Sequence, residues 1–203
     1  MTKAPTRRTP RQGRPPKSEE PLLDAHILDC ARREFLEHGY AAATVDMIAA
    51  RARSSKRTIY ARYPTKAALF EAAAADHIDR MIAPIEAAIN PQLAVRDQLI
   101  RLGKALFAAA TDPASLAMDR IVIAEANTFP ELAARLHQNG FERITTLVAR
   151  LLHDAGAANP AIGSETFYAL LALAPMRTAI VTRKRSTVRA DQIVDFLLRT
   201  PSS

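Results

Sequence analysis

The sequence predicts an all-α protein, and three observations carry that prediction. Alanine supplies 40 of the 203 residues and glycine only 6, and alanine is the strongest helix former. Apolar residues recur three and four apart, as in Leu23, Ile27, Ala31 and Phe35, the period of an amphipathic helix. No segment alternates with the period of two that marks a strand. The length suits one or two domains with enough chain to bury a core.

Each helix has a start or stop signal. The first is expected to begin between Ser18 and Leu22, Pro21 being tolerated in its opening turn, and to end at Gly39, a left-handed cap. Thr44 precedes Val45, Ile48, Ala49 and Ala52 and reads as the N-cap of a short second helix. Ser55 caps a third, from Lys56 to about Arg62, closed by Pro64 because the residue before a proline avoids the α region. A long helix is expected from Thr65 to Ile89, where Asn90-Pro91 breaks it, and another from Leu93 to Ala110. Pro113 suits the first position of the next, which reaches Asn127. Thr128 and Glu131 have capping-box spacing and start a helix or helix pair running to Leu152, with an interruption at Asn139-Gly140. Residues 154–163 read as a loop. Helices from Ser164 to Arg183 and from Arg189 to Arg199 complete the chain, and Pro175 predicts a kink near Leu171.

Charge is segregated. The chain carries a net +7; residues 1–20 hold +4, residues 21–66 hold +3, and the rest sums to zero. A basic third beside a neutral remainder suits a polyanion docking at one end, because Lys and Arg that neutralise phosphates release condensed counterions. A single cysteine, Cys30, excludes an internal disulfide framework and a cysteine-based zinc cluster. No apolar run is long enough to span a membrane, and residues 1–21 lack the apolar core of a secretory signal. The expected address is the cytoplasm. The five histidines are scattered, with no metal-ligand pair, nucleophile elbow or phosphate loop. No enzyme activity, metal or cofactor is expected.

Two short helices joined by a tight turn after a longer one form a helix-turn-helix pattern. With Ile59 directed at the core, Arg57 and Ala61 fall about 160° and about 200° around the wheel, with Tyr60 and Thr58 flanking them. The outward face then offers a long cation, a methyl, a phenol and a hydroxyl. Arg can take guanine O6 and N7 together, and a methyl can meet thymine. Lys56 to Arg62 contains no acid, unlike an ordinary solvated helix.

The stretch from Ile27-Leu28-Asp29 through Phe35-Leu36-Glu37-His38-Gly39-Tyr40, Thr44-Val45-Asp46-Met47-Ile48-Ala49 and Ser55-Lys56-Arg57-Thr58-Ile59-Tyr60 to Tyr63-Pro64-Thr65-Lys66 resembles the DNA-binding domain of the tetracycline-repressor (TetR) family. The resemblance implies an all-helical homodimer with a three-helix head and a larger domain for ligand and dimerisation. It assigns DNA contacts to Thr44, Lys56, Arg57, Thr58, Tyr60 and Lys66; Ser55 and the outward Ala61 complete the expected DNA face. The turn departs from the frequent Ala-Gly-Val: it reads Ala52-Arg53-Ser54, so either the turn differs or Arg53 reaches a phosphate. Arg57 stands where glycine is frequent and adds a base-reading arm. Gly13-Arg14-Pro15 partly resembles a minor-groove hook with Gln12 in place of its first arginine, leaving Arg14 as a minor-groove contact or as part of a merely charged arm. The division expected is an arm at 1–20, a head at 21–81 and a ligand-binding and dimerisation domain at 82–203.

The run from Met118-Asp119-Arg120-Ile121 to Phe129-Pro130-Glu131-Leu132 resembles the regulatory domain of the AefR-like subgroup. Phe107, Met118, Phe129, Phe141, Tyr168 and Met176 are candidate cavity residues, with core packing as the alternative; Arg120 and His137 are candidate ligand contacts or simply paired surface groups. Phe167, Leu170, Leu171, Ala174, Thr178 and Val181, with Ile193, Phe196 and Leu197, are the candidate dimer interface, or a stripe covering their own core. The function expected is a ligand-responsive regulator, as a repressor released from a palindromic operator by a small molecule. An activator, a ligand-independent regulator or a helical adaptor are the alternatives.

Overall fold

A computed structural model of the chain describes residues 20–183 and 186–199, apart from the side chain of His137. Among the described residues there are ten α-helices and no strand. No helix among them is long and apolar enough to cross a membrane.

Helices α1 (Glu20–Ala42), α2 (Val45–Arg51) and α3 (Lys56–Tyr60) build the head, and the first half of α4 (Lys66–Glu86) closes it. The helical run of α1 is broken at Gly39, whose φ of 75° and ψ of 170° are open to a residue without Cβ. Thr44, Ser55 and Thr65 cap the next three helices, each accepting from the backbone N–H three residues on. Ile27, Ala31, Phe35, Ile48, Ile59 and Leu69 are fully buried, so the apolar stripe read from the sequence is the head's core. Phe70 meets Phe35 edge-on at 5.0 Å between centroids, a geometry that suits the ring quadrupoles.

The remaining helices are α5 (Val95–Ala110), α6 (Pro113–Ala124), α7 (Pro130–Asp154), α8 (Pro160–Tyr168), α9 (Ala174–Thr182) and α10 (Ala190–Arg199). Their core holds Ile82, Ile85, Leu99, Leu102, Val148, Phe167, Leu171 and Val194, all without solvent exposure. Helix α4 belongs to both cores: Leu69, Phe70 and Ala73 pack in the head, Ile82 and Ile85 in the second cluster. It runs unbroken through residues 81 and 82.

Several boundaries differ from expectation. The break at Asn139-Gly140 is absent, and α7 is one helix of 25 residues. Gly140 is buried against α4, and tertiary packing outweighs the roughly 1 kcal/mol that glycine costs a helix interior. The Thr128 capping box does not form. The N–H groups of Thr128 and Phe129 both donate to the Glu125 carbonyl, which leaves Phe129 as an N-cap without a side-chain bond and Pro130 as the first helical residue. Residues 160–163 are helical rather than loop, because Asn159 caps the Ile162 N–H and Pro160 takes the first turn.

The kink expected from Pro175 takes the form of a π-helical turn at Ala169–Leu173. Proline lacks the N–H that would reach back to Leu171, and widening the helix there accommodates the loss. The candidate dimer residues divide. Phe167, Leu171 and Leu197 are at most 8% exposed and pack within the chain's own core, so they are not available to a partner. Leu170, Ala174, Val181 and Phe196 are exposed, with Thr178 and Ile193 half-buried.

Candidate nucleic-acid interface and cavity

The head presents α3 on its surface through three ties. Ile59 anchors the inner side with no exposure. Arg62 Nε donates to Asp24 on α1 at 2.5 Å, and Arg51 binds Glu34 and Glu37 of α1 at 2.5 Å each, holding α2. Lys56, Arg57, Tyr60 and Ala61 are exposed on the outer side. Among the described residues no acid pairs with Arg57, whereas Lys56 reaches Asp46 on α2 at 2.5 Å. The Ser55 hydroxyl caps α3 and lies 2.8 Å from that of Thr58, so both hydroxyls also hold the helix start.

Arg53 is exposed in left-handed space with φ of 48°, and the turn therefore keeps the shape that glycine commonly supplies. The strain of such a residue is roughly 1 kcal/mol or more. Thr44 is exposed at the start of α2, its hydroxyl capping Met47 at 3.2 Å. Lys66 is half-buried, donating to the Ala41 carbonyl at 3.1 Å with its ammonium 4.5 Å from the Tyr40 ring centre. Arg14 lies outside the described residues.

A second site is a cavity of about 330 Å³ lined by α4, α5, α6, α7, α8, α9 and the π turn. Met118, Tyr168 and Met176 line it. Phe107, Arg120, Phe129 and Phe141 do not. Phe107 faces a separate surface groove beside Val188 and Arg189, and Arg120 is exposed. Phe129 packs edge-on against Tyr40, and Phe141 supports Tyr168 from outside the lining at 5.1 Å. The side chain of His137 lies outside the described residues. Helical phase explains the misses: position on the wheel, not aromatic character, decides which side chain reaches the space.

The polar groups of the wall, His77 on α4 and Ser115 and Asp119 on α6, are not among the residues expected from the sequence. A signal existed, since Ser115, Asp119, Val122 and Ala126 follow a three-and-four spacing. Burial pushes the Asp119 carboxyl up to about 6 and the Tyr168 phenol up to about 12, the Asp119 charge adding to the second effect. His77 is held below its ordinary value by burial first and by Arg32 next, and its buried Nε2 has no hydrogen-bond partner.

The family model of the bacterial regulatory proteins of the tetR family matches residues 27–73, and that of the AefR-like transcriptional repressor C-terminal domain matches residues 97–199. An uncharacterized HTH-type transcriptional regulator of Mycobacterium tuberculosis is 32% identical over 151 residues, covering 73% of this chain and 71% of the relative. An HTH-type transcriptional repressor of Streptomyces coelicolor is 50% identical over 46 residues, 23% of this chain and 24% of the relative. The solved structure of a TetR-family regulator from Mesorhizobium loti has the same fold, with a TM-score of 0.77, 24% identity, and coverage of 88% of this chain and 96% of that one. That family consists of transcriptional regulators, not enzymes. With an exposed helix-turn-helix in its basic third and an AefR-like domain behind it, the chain belongs to the TetR family of DNA-binding transcriptional regulators.

Proposed function

We propose that the protein is a repressor that binds a palindromic operator as a homodimer in the cytoplasm and leaves it when a small molecule enters the cavity. The head, residues 21–81, makes the DNA contacts and lends one wall to the effector cavity; residues 82–203 supply the rest of that cavity and hold the partner subunit. The observation that carries this reading is the double role of α4. Leu69, Phe70, Ala73 and Ala74 fix it in the head core, while His77, Ile78 and Met81, one to two turns further on, join Ala74 in a wall of the cavity. A molecule that repositions this wall repositions the head, and its effect on DNA affinity equals its differential affinity for the two arrangements. The repressor sense is supported by the family description matched over residues 97–199 and by the name of the Streptomyces relative.

Two copies of α3 then enter successive major grooves about 34–36 Å apart, with Lys56, Arg57, Thr58, Tyr60 and Ala61 at the base edges and backbone. Thr44, Arg53, Ser55 and Lys66 hold flanking phosphates. The partner surface is built on Leu170, Ala174, Thr178, Val181, Ile193 and Phe196. The deciding experiment pairs a mobility-shift assay on DNA upstream of the protein's own gene with a melting-temperature screen of metabolites, since a binder stabilises the native state by mass action. A metabolite that raises the melting temperature and releases the DNA supports the reading. Stabilising molecules that leave DNA affinity unchanged remove the ligand response, and a monomer indifferent to palindromes removes the operator model.

A further inference from the structure

The cavity has an uneven chemistry. Most of its wall is aliphatic or thioether, including Ile78, Met81, Val122 and Met176, and Asp119 stands among these groups. No cation or hydrogen-bond donor among the described residues is paired with its carboxylate, whereas Asp24, Asp29, Asp76 and Asp195 each hold an arginine at 2.8 Å or less. The space is about ten times the share of one liquid water, roughly 30 Å³, so a small organic molecule fills it. The cavity reaches the surface beside Ile123, which is 60% exposed, giving that molecule an entry.

We infer that the effector is an apolar molecule carrying one protonated nitrogen, seated with its charge against Asp119 and its body along Met118, Val122 and Met176. The assignment rests on the cavity being the effector site. An unpaired carboxylate in an apolar wall costs free energy that a buried cation recovers, and burial lifting the group to about 6 is the signature of that missing partner. At neutral pH such a carboxyl is still mostly ionised, so an anionic ligand is repelled and a neutral one leaves the charge unmatched. The phenol of Tyr168 remains protonated and adds no second charge to the cavity.

The test uses three probes sharing one body: 4-phenylbutylamine, 4-phenylbutan-1-ol and 4-phenylbutyrate, titrated calorimetrically into the full-length protein at pH 7.5. The amine is expected to bind about ten- to hundredfold tighter than the alcohol, the range of a hydrogen bond to a charged group, with the carboxylate weakest. Asp119→Asn is expected to bring the amine to the level of the alcohol. Equal affinities, or a carboxylate that binds best, overturn the cationic class while leaving the cavity as a binding site. An amine preference that survives Asp119→Asn overturns the seat. Should none of the three bind, the cavity reading and this inference fall together.

Discussion

Tyr40 of the head lies edge-on to Phe129 at the N-terminus of α7, their ring centres 5.1 Å apart. Tyr40 also packs on Phe70 at 5.0 Å, so one ring joins the head core to the second half of the molecule. Phe129→Ala should lower stability by about 1–3 kcal/mol, the ring being half-buried. A double-mutant cycle with Tyr40→Leu should return a coupling of about 0.5–1.5 kcal/mol. Urea unfolding measures both, and strictly additive effects would show that the pair is not coupled.

Arg57 projects from α3 without an acidic partner among the described residues. Arg57→Ala should cost about 1–3 kcal/mol of operator affinity and relax specificity at one base pair per half-site. A loss shared equally by specific and random duplexes assigns the guanidinium to a phosphate instead.

Arg53 gives a test with opposite signs in two assays. Its left-handed backbone makes Arg53→Gly stabilising by about 1 kcal/mol in thermal unfolding. The same change removes a cation from the DNA face, so the salt dependence of binding should lessen by about one phosphate contact. A stabilised variant with an unchanged salt slope means that Arg53 only shapes the turn.

Asp119 sets a pH dependence. Its folded value of about 6 lies above the ordinary 3.8, so its contribution favours the folded state in acid and is lost as pH rises through about 6. Asp119→Asn should therefore be more stable than the parent by about 2–3 kcal/mol at pH 8 and indistinguishable from it only below the ordinary 3.8, near pH 3. His77 acts with the reverse sign: its depressed value removes stability as pH falls below the ordinary 6.5. Subtracting parent from variant at each pH isolates the carboxyl. A difference that stays flat from pH 4 to pH 8 contradicts the assignment.

The exposed faces of α9 and α10 separate association from folding. Val181 and Phe196 are 72% and 63% exposed, so Val181→Glu with Phe196→Glu should yield a folded monomer by light scattering, with little change in melting temperature. Leu171→Glu places a charge in a site with no exposure and should unfold the protein. Dimers that persist in the double variant locate the partner surface elsewhere.

The head was the most legible part of the sequence. Thr44 and Ser55 announce their caps, the stripe through Leu23 to Phe35 has a single helical phase, and Ile59 fixes the outward side of α3. Such signals are local, and the basic charge around them needs no tertiary information. The cavity was legible only in part because its wall draws on separate helices. Met118, Tyr168 and Met176 were recognisable as large apolar groups, whereas the inward Asp119 is set apart from the outward Arg120 next to it only by its spacing with Ser115, Val122 and Ala126. Phe167 and Leu171 misled for the same reason: an apolar stripe states that it is covered, not by which chain. Gly140 and Thr128 show local preference overruled by packing and by the chain's exit from α6.

The π turn at Ala169–Leu173 amounts to one surplus residue wound into an otherwise regular rod. Removing one of those five positions would return ordinary pitch and leave everything beyond close to its present phase, because five residues wound this loosely turn the chain about as far as four at ordinary pitch. Tightening all five without that removal would instead swing everything beyond by about 100°, taking Met176 out of the cavity and turning the solvent-facing edge that carries Val181. The inward Met176 and the outward Val181 thus owe their bearings to the slack of a single turn.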